Sequence, residues 1–305
     1  MGDSKKEIGP PPKLSFKQFL WNSETSQCLG RTGSSWAKIL IFYVIFYAGL
    51  AAFFAGLLAV FFQTLQENQP KWKMTEGLIG NNPGLGFRPM PPESNVESTL
   101  IWYDASKENQ HTYWVDEIEN FINAYKAIPT TNQQECTFEH GAEYGKVCKT
   151  DFNSFGSCNK DNKYGYGGSS PCVFLKLNKI YDWKPAVYSD AKNLPDKMPK
   201  SLKENINQVT SLKPNETNIV WVSCEGENPA DNENIKSIDY YPRMGFPGFF
   251  FPYKNVEGYT PPLVAVQFSV QTGVLINVEC KAWAHNIHHD RSERRGSVHF
   301  EIMVD

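Results

Sequence analysis

The hydrophobic pattern of the chain is dominated by one run near the N-terminus, from Ile39 to Phe62, that contains no charged residue. At a rise of 1.5 Å per residue, a helix over this run reaches roughly 36 Å, which exceeds the roughly 30 Å hydrocarbon core of a bilayer. The run starts too far into the chain, and is too long, for a cleaved signal peptide. We therefore predict one transmembrane helix over residues 37–65.

The segment that follows the span has a different composition. Residues 66–97 are rich in Pro, Gly and Asn, which favour turns and extended backbone, and they predict an extended stalk. Between Val115 and Ile128 apolar side chains then recur at helical spacing, which predicts one amphipathic helix.

From about residue 170 the pattern changes to alternating positions rich in β-branched and aromatic residues. Turns containing Gly, Pro and Asn separate these stretches. The predicted strands are 173–180, Ile219–Cys224, Leu263–Val270, Val274–Trp283 and Val298–Val304. Several short strands of this kind predict an antiparallel sandwich, so residues 98–305 are expected to form a mainly β domain.

Charge indicates which side of the membrane each part occupies. The whole chain carries a net charge of −3, but residues 1–36 hold more Lys and Arg than Asp and Glu. The residues that flank the span are equally basic on both sides, but the whole short tail is the more basic side, which favours the cytoplasm. We expect residues 1–36 to be a polar, mostly disordered cytoplasmic tail. Its lysines are too few and too scattered to indicate nucleic-acid binding.

The cysteines support the same orientation. Of the 7 cysteines, Cys28 precedes the span and all the others follow it. An even set on one side is typical of an oxidising compartment, where disulfides are favoured over zinc sites of similar spacing. The single Asn-x-Ser/Thr sequence, Asn215-Glu216-Thr217, lies on that side too, so Asn215 is a candidate for glycosylation. The chain is therefore expected to be a single-pass type II membrane protein. The cysteines beyond the span are Cys136, Cys148, Cys158, Cys172, Cys224 and Cys280.

The sequence contains no recognisable catalytic motif. Walker, G-x-S-x-G, H-E-x-x-H and G-x-G-x-x-G patterns are all absent. The one histidine cluster, His285, His288 and His289, falls in a charged loop instead of on the rigid elements that a zinc site needs. We expect no catalytic residue, no metal site and no cofactor.

The predicted span has two unlike faces at 100° per residue. One is a seam of small residues, a common surface for close helix packing: Ala48, Ala52, Ala55 and Ala59, beside Gly49 and Gly56. The opposite face is aromatic: Tyr43, Tyr47, Leu50 and Phe54, with Phe42, Phe46 and Phe53 adjoining. Tyrosine hydroxyls inside hydrocarbon need partners, which favours helix pairing over a simple interfacial belt.

Several short motifs, in this order and spacing, are similar to one known family. They are Trp21-Asn22-Ser23-Glu24, Leu29-Gly30-Arg31-Thr32-Gly33, the run from Phe42 to Tyr47, Tyr164-Gly165-Tyr166 before Pro171-Cys172, Lys176-Leu177-Asn178-Lys179, Tyr240-Tyr241-Pro242, and Pro262 to Phe268. Over essentially its whole length the chain resembles the beta subunits of the Na,K-ATPase.

The resemblance implies a fold and a set of contacts. It implies disulfides in sequence order, Cys136–Cys148, Cys158–Cys172 and Cys224–Cys280, in an Ig-like ectodomain folded over the outside of a catalytic alpha subunit. It also implies that Tyr43 and Tyr47 contact the alpha subunit in the membrane. The expected alpha-subunit interface consists of these tyrosines, Phe46, Leu50 and Phe54 near them on the span, and Tyr240, Tyr241 and Pro242 outside the membrane.

The function that the resemblance implies is that of a non-catalytic subunit in the plasma membrane. Such a subunit helps the alpha subunit to fold, to reach the cell surface and to occlude potassium. The expected partners are the alpha subunit, a small single-span regulatory subunit of the FXYD type and the lipid bilayer.

Two departures from the family pattern leave alternatives open. After Pro242 the chain reads Arg243-Met244-Gly245-Phe246, where the family usually has more tyrosine and a Gly-Lys pair. The single glycosylation sequence argues against the heavily glycosylated H,K-ATPase beta subunit. A type II ectoenzyme would instead show turnover, and a type II adhesion or lectin-like receptor would bind a ligand without any pump chain.

Overall fold

The computed structural model describes residues 16–92, 94, 98–290, 292–293 and 295–305. The chain divides into two compact units, residues 1–67 and 68–305. The first fifteen residues of the predicted tail, and residues 93 and 95–97 of the predicted stalk, lie outside the described part.

The first unit contains a short helix, a small antiparallel sheet and one long helix. Its elements are α1 (Phe16–Leu20), β1 (Trp21–Asn22), β2 (Gln27–Cys28), β3 (Arg31–Thr32) and α2 (Gly33–Gln63). The three strands pair in sequence order, and the Trp36 ring nitrogen donates a 2.9 Å hydrogen bond to the carbonyl of Cys28. The expectation of disorder is therefore wrong for residues 16–32, because the hairpin and Trp36 satisfy local backbone groups.

The second unit is mainly β. Its helices are α3 (Glu108–Lys126), α4 (Lys200–Leu212) and α5 (Pro229–Glu233). Its strands are β4 (Leu85–Arg88), β5 (Leu100–Tyr103), β6 (Gln133–Gln134), β7 (Val147–Cys148), β8 (Cys172–Leu177), β9 (Ile219–Gly226), β10 (Ile235–Tyr241), β11 (Gly245–Pro247), β12 (Leu263–Val270), β13 (Ile276–Trp283) and β14 (Ser297–Val304).

Two sheets form the core of this unit. One has the order β10-β12-β8-β4 and the other β11-β9-β13-β14-β5. Their inner faces meet through aromatic rings, because Phe300 of β14 lies 5.0 Å from Phe87 of β4 and 5.7 Å from Phe268 of β12, measured between ring centroids. All pairings in these two sheets are antiparallel except β14 with β5.

Each outer face is covered by a helix. Helix α3 covers the four-stranded sheet and buries Ile118 and Ile122 in the main core. On the same side of this sheet, the Phe155 and Phe174 rings lie 5.3 Å apart. Helix α4 buries Leu202 and Ile206 against Trp221 of β9, together with Trp283 of β13.

Several sequence predictions need correction at this level. The expected single amphipathic helix is joined by a second, α4, and the first begins at Glu108 instead of Val115. Leu85–Arg88, in the expected stalk, is strand β4, because Leu85 and Phe87 alternate into the core despite the flanking prolines. The five predicted strands correspond to β8, β9, β12, β13 and β14.

The structure joins the cysteines in the order that the resemblance implies. Cys136 is bonded to Cys148, Cys158 to Cys172 and Cys224 to Cys280. Cys224 and Cys280 stand directly opposite each other on β9 and β13, so this disulfide lies within one sheet. In antibody domains the conserved disulfide instead joins the two sheets.

Candidate partner-binding surfaces

The aromatic face of helix α2 is not covered by any other described part of the chain. None of the described side chains of α2 is buried, and Tyr43, Tyr47 and Phe54 are 49%, 59% and 65% exposed. Phe46 and Leu50, the other two predicted contacts on this helix, are 51% exposed each. All five are thus available to another helix or to lipid.

The rings on this helix form two short stacks. Tyr43 and Tyr47 stack with centroids 6.0 Å apart, and Phe42 and Phe46 stack at 6.2 Å. Neighbouring members of the two stacks, such as Phe46 and Tyr47, meet edge to face at 5.4 Å. This arrangement places two hydroxyls on one side of the helix, one turn apart.

The small-residue seam of α2 is equally open. A Cβ atom built on Gly49 or Gly56 would meet nothing within 4 Å outside its own helix backbone. Close approach of a second helix is therefore sterically possible there as well.

The three residues predicted to form the extracellular contact lie at the end of β10 and do not share one orientation. Tyr240 turns inward between the sheets, and its hydroxyl accepts a 2.8 Å hydrogen bond from the backbone N–H of Cys224. Tyr241 faces the other way, with its ring against Gly156, which has a φ of +53° and no room for a side chain. Only Pro242 is exposed.

The environment of Tyr240 explains its orientation. Strand β11 pairs with β9 only as far as the hydrogen bond from Val222 N–H to the carbonyl of Met244. The next N–H of β9 on that side, at Cys224, has no strand beside it, and the phenol oxygen of Tyr240 takes the place of a carbonyl. Burial raises the pKa of the Tyr240 hydroxyl, so this side chain acts as a neutral structural group.

A groove borders the same strand end. It has a volume of about 490 Å³ and lies between α4 and the connection from β10 to β11. Its polar wall contains Arg243, whose guanidinium donates to Glu216 at 3.0 Å and lies 4.8 Å from the Phe138 ring centre. Burial alone would raise the pKa of Glu216, but hydrogen bonds from Arg243 and Lys213 outweigh it and lower that pKa.

In the sequence alone, Arg243 is only a departure from a family pattern. Arg243 is identified as part of a surface by its contacts with Glu216 and Phe138, both of which are far from it in the sequence. Such a contact requires the folded chain. The glycosylation sequence adjoins this surface, since Asn215 lies in a short exposed turn next to Glu216.

The histidines are held apart by separate local contacts. The ring of His285 lies 4.0 Å from that of Tyr188, whereas a ring nitrogen of His289 is 2.8 Å from the carbonyl of Ala282. Burial lowers the pKa of His289. Within the described ranges, no group of three or more His, Cys, Asp or Glu side chains is arranged to hold a metal ion.

Comparison with known proteins agrees with these features. The family model described as "Sodium / potassium ATPase beta chain" matches residues 11–300. A Drosophila melanogaster protein named sodium/potassium-transporting ATPase subunit beta-2 is 50% identical over 97% of this chain and 93% of its own length. The beta-1 subunit of the same species is 41% identical over 97% of this chain and 94% of its own. A beta-1 subunit of Tetronarce californica is 30% identical over 95% of each chain.

The described helices also agree with a membrane protein, because α2 is the one among them that is long and apolar enough to cross a bilayer. The mainly β unit follows it, with its three disulfides. The chain belongs to the sodium/potassium ATPase beta chain family.

Proposed function

We propose that this chain is the non-catalytic subunit of a sodium/potassium pump and binds the pump's catalytic alpha subunit. The observation that carries the proposal is the aromatic face of α2, fully available in a chain that belongs to this family. The stacked Tyr43 and Tyr47 present two hydroxyls that have no hydrogen-bond partner among the described residues. In hydrocarbon, a polar or aromatic partner on a neighbouring helix supplies what lipid does not.

A second attachment point outside the membrane completes the proposal. Pro242 and the rim of the groove beside Arg243 are exposed at the end of β10. Two modest contacts on one chain reinforce each other, because the first raises the effective concentration of the second. This arrangement supports a subunit that stabilises its partner while the chemistry stays in the larger chain.

The same proposal includes orientation and cellular role. The N-terminal tail is cytoplasmic and the Ig-like β domain is extracellular, at the plasma membrane. The subunit assists alpha-subunit folding and delivery and supports potassium occlusion, and a small regulatory subunit of the FXYD type joins the complex. The three disulfides support the external placement of the β domain, because disulfides persist in oxidising compartments.

Purification from membranes tests the partner. Extraction in mild detergent, with an affinity tag on this chain, should recover a larger P-type ATPase chain in equimolar amount. Recovery of this chain only alone, or only as a homodimer, would contradict the proposal.

Glycosylation tests the orientation separately. Treatment of detergent-solubilised microsomes with a glycosidase should increase the gel mobility of the wild-type chain but not that of Asn215→Gln. An identical mobility of the two chains before treatment would contradict an extracellular β domain.

A further inference from the structure

Two fully exposed aliphatic side chains stand at the tip of a tight turn early in the second unit. The turn runs from Gly77 to Gly80 and is closed by a 3.2 Å hydrogen bond from Gly80 N–H to the carbonyl of Gly77. At its tip Leu78 is 107% exposed and Ile79 is 81% exposed. Turn positions usually carry Gly, Pro, Asn, Asp or Ser, so turn formation does not account for this pair.

The turn is fixed to the β unit on both sides. Before it, Met74 packs against the core and the Lys73 ammonium lies 3.4 Å from the Asp182 carboxylate. After it, the side-chain amide of Asn82 exchanges two hydrogen bonds with the backbone of His288, at 2.8 and 2.9 Å. The apolar tip is therefore a fixed projection.

An exposed tryptophan lies beside the same turn. The Trp72 carbonyl would be 3.3 Å from a Cβ built on Gly77, and the Trp72 side chain is 52% exposed. Lys71 places its ammonium 5.4 Å from the centre of the Trp72 ring. Tryptophan flanked by lysine is typical of the membrane–water interface, where the ring lies among headgroups and lysine stems extend along them.

We propose that Leu78 and Ile79 insert into the lipid leaflet reached by the C-terminal end of α2, with Trp72 at the headgroup level. The turn belongs to the segment that directly follows α2 in the chain, so a membrane crossed by α2 lies within reach of this segment. The tip presents only two side chains, which a fluid lipid layer can surround without a preformed pocket. A protein contact usually centres on Trp, Tyr or Arg in a fitted pocket, and leucine is under-represented there.

This inference rests on α2 spanning the bilayer, which is part of the proposed function. Retention of the chain in vesicles after an alkaline wash reports that span independently of the turn. A failure of the turn to insert is thereby distinguished from a failure of α2 to span.

The test uses the full chain, purified with any partner it carries and reconstituted in phosphatidylcholine vesicles. Cys28→Ser removes the one free cysteine of the described residues. A small environment-sensitive fluorophore is then placed on Thr75→Cys, an exposed position next to the turn that leaves both aliphatic side chains intact. The matched control carries the label on Tyr144→Cys, which is 106% exposed in a different loop.

We expect the label at position 75 to emit at shorter wavelength than the control. It should be quenched by lipids with a nitroxide near the headgroup and protected from aqueous iodide. The control label at position 144 should instead be quenched by iodide and not by the nitroxide lipids. The double variant L78D/I79D should shift the label's emission back to that of the control and remove most nitroxide quenching, while the alkaline wash still leaves the chain in the vesicles.

Three results would overturn the inference. Iodide quenching at position 75 equal to that at position 144 would place the turn in water. Protection from both quenchers would place it against protein. Unchanged nitroxide quenching in L78D/I79D would equally reject a role for the two aliphatic side chains.

Discussion

The hydroxyl of Tyr240, on the edge strand of one sheet, accepts a 2.8 Å hydrogen bond from the backbone N–H of Cys224 in the other sheet. The bond lies where the chain leaves the four-stranded sheet and enters the five-stranded one. It joins a residue of the predicted partner-binding motif to a residue of the in-sheet disulfide. Tyr240 is thus a structural tie between the two sheets as well as a neighbour of the candidate contact surface.

Replacing Tyr240 by phenylalanine should therefore destabilise the β unit. The change keeps the ring but leaves the Cys224 N–H without an acceptor, which costs about 1–3 kcal/mol for a buried group. The denaturation midpoint of the detergent-solubilised chain, followed by tryptophan fluorescence, should fall accordingly. Tyr241→Phe is the control, because the Tyr241 hydroxyl has no hydrogen-bond partner among the described residues. Equal midpoints for the two variants would show that the Tyr240 bond contributes nothing.

The disulfides should differ in their contribution to stability. The Cys224–Cys280 bond closes a loop with a sequence separation of 56, whereas Cys136–Cys148 has a separation of 12. On the chain-entropy model these loops contribute about 4 and about 3 kcal/mol. Replacing Cys224 and Cys280 by alanine should lower the unfolding free energy more than the same change at Cys136 and Cys148, and should also reduce recovery of the partner chain. The opposite ranking in denaturation would contradict this expectation.

A like-charge pair on the five-stranded sheet predicts a stabilising substitution. Glu225 of β9 stands directly opposite Glu279 of β13. The Glu225 side chain is exposed, but partial desolvation of its carboxyl, the largest cause, raises its pKa above the ordinary 4.5. Lys281 lowers that pKa, and the Glu279 charge, the smallest cause, raises it. Because the folded-state pKa is raised, wild-type stability falls as pH rises above that ordinary value. Glu225→Gln should increase stability at pH 7 by up to about 1 kcal/mol, and the gain should vanish below the ordinary pKa. Unfolding midpoints at pH 4 and pH 7 measure both effects, and a gain that persists at pH 4 would reject the charge explanation.

Glu301 predicts the opposite pH dependence. Burial alone would raise the pKa of Glu301, but hydrogen bonds from Thr99 at 2.7 Å and from His299 at 2.9 Å outweigh it, and the pKa is lowered from 4.5. Its stabilising contribution is present above that value and is lost as pH falls through the folded-state pKa. Glu301→Gln should lower stability at pH 7 and weaken the acid sensitivity of unfolding. Parallel pH profiles for wild type and variant would contradict the assignment.

The two faces of α2 can be separated by substitution. The double variant Tyr43→Phe and Tyr47→Phe removes only the hydroxyls, and interhelical hydrogen bonds of this kind contribute about 0.6 to 1.7 kcal/mol each. We expect severalfold weaker recovery of the partner chain in detergent. The matched change on the seam, Ala48→Leu with Ala52→Leu, should have little effect if that seam faces lipid. Loss of the partner only in the alanine variant would move the interface to the other side of the helix.

Elements with a continuous local pattern were predictable, and elements defined by distant contacts were not. The apolar run of α2 and the eight-residue, mostly apolar strands β9 and β12 can be recognised from their own residues. Strand β4 covers only Leu85–Arg88 between prolines, so its alternation is too short to outweigh the turn signals around it. Helix α4 carries a sequence signal, since Leu202, Ile206 and Val209 recur at helical spacing, but the polar residues between them obscure it.

The candidate contact residues follow the same division. The exposed aromatic face of α2 was predictable, because none of the described side chains of this helix is buried by contacts that would override its periodicity. The inward orientation of Tyr240 depends on where β11 stops pairing with β9, and no local pattern encodes that point.

Because β5 pairs with β14, β5 must wait for its partner strand during synthesis of the chain. Thr99 and Glu301, which are hydrogen-bonded beside this pair, are separated by 202 positions in the chain. At about 5–20 residues per second, a ribosome needs on the order of 10–40 s to make the second after the first. Throughout that interval the apolar strand Leu100–Tyr103 has no mate and must be shielded from aggregation by a chaperone or by rapid translocation. Quality control of this subunit is therefore expected to begin while its chain is still being made.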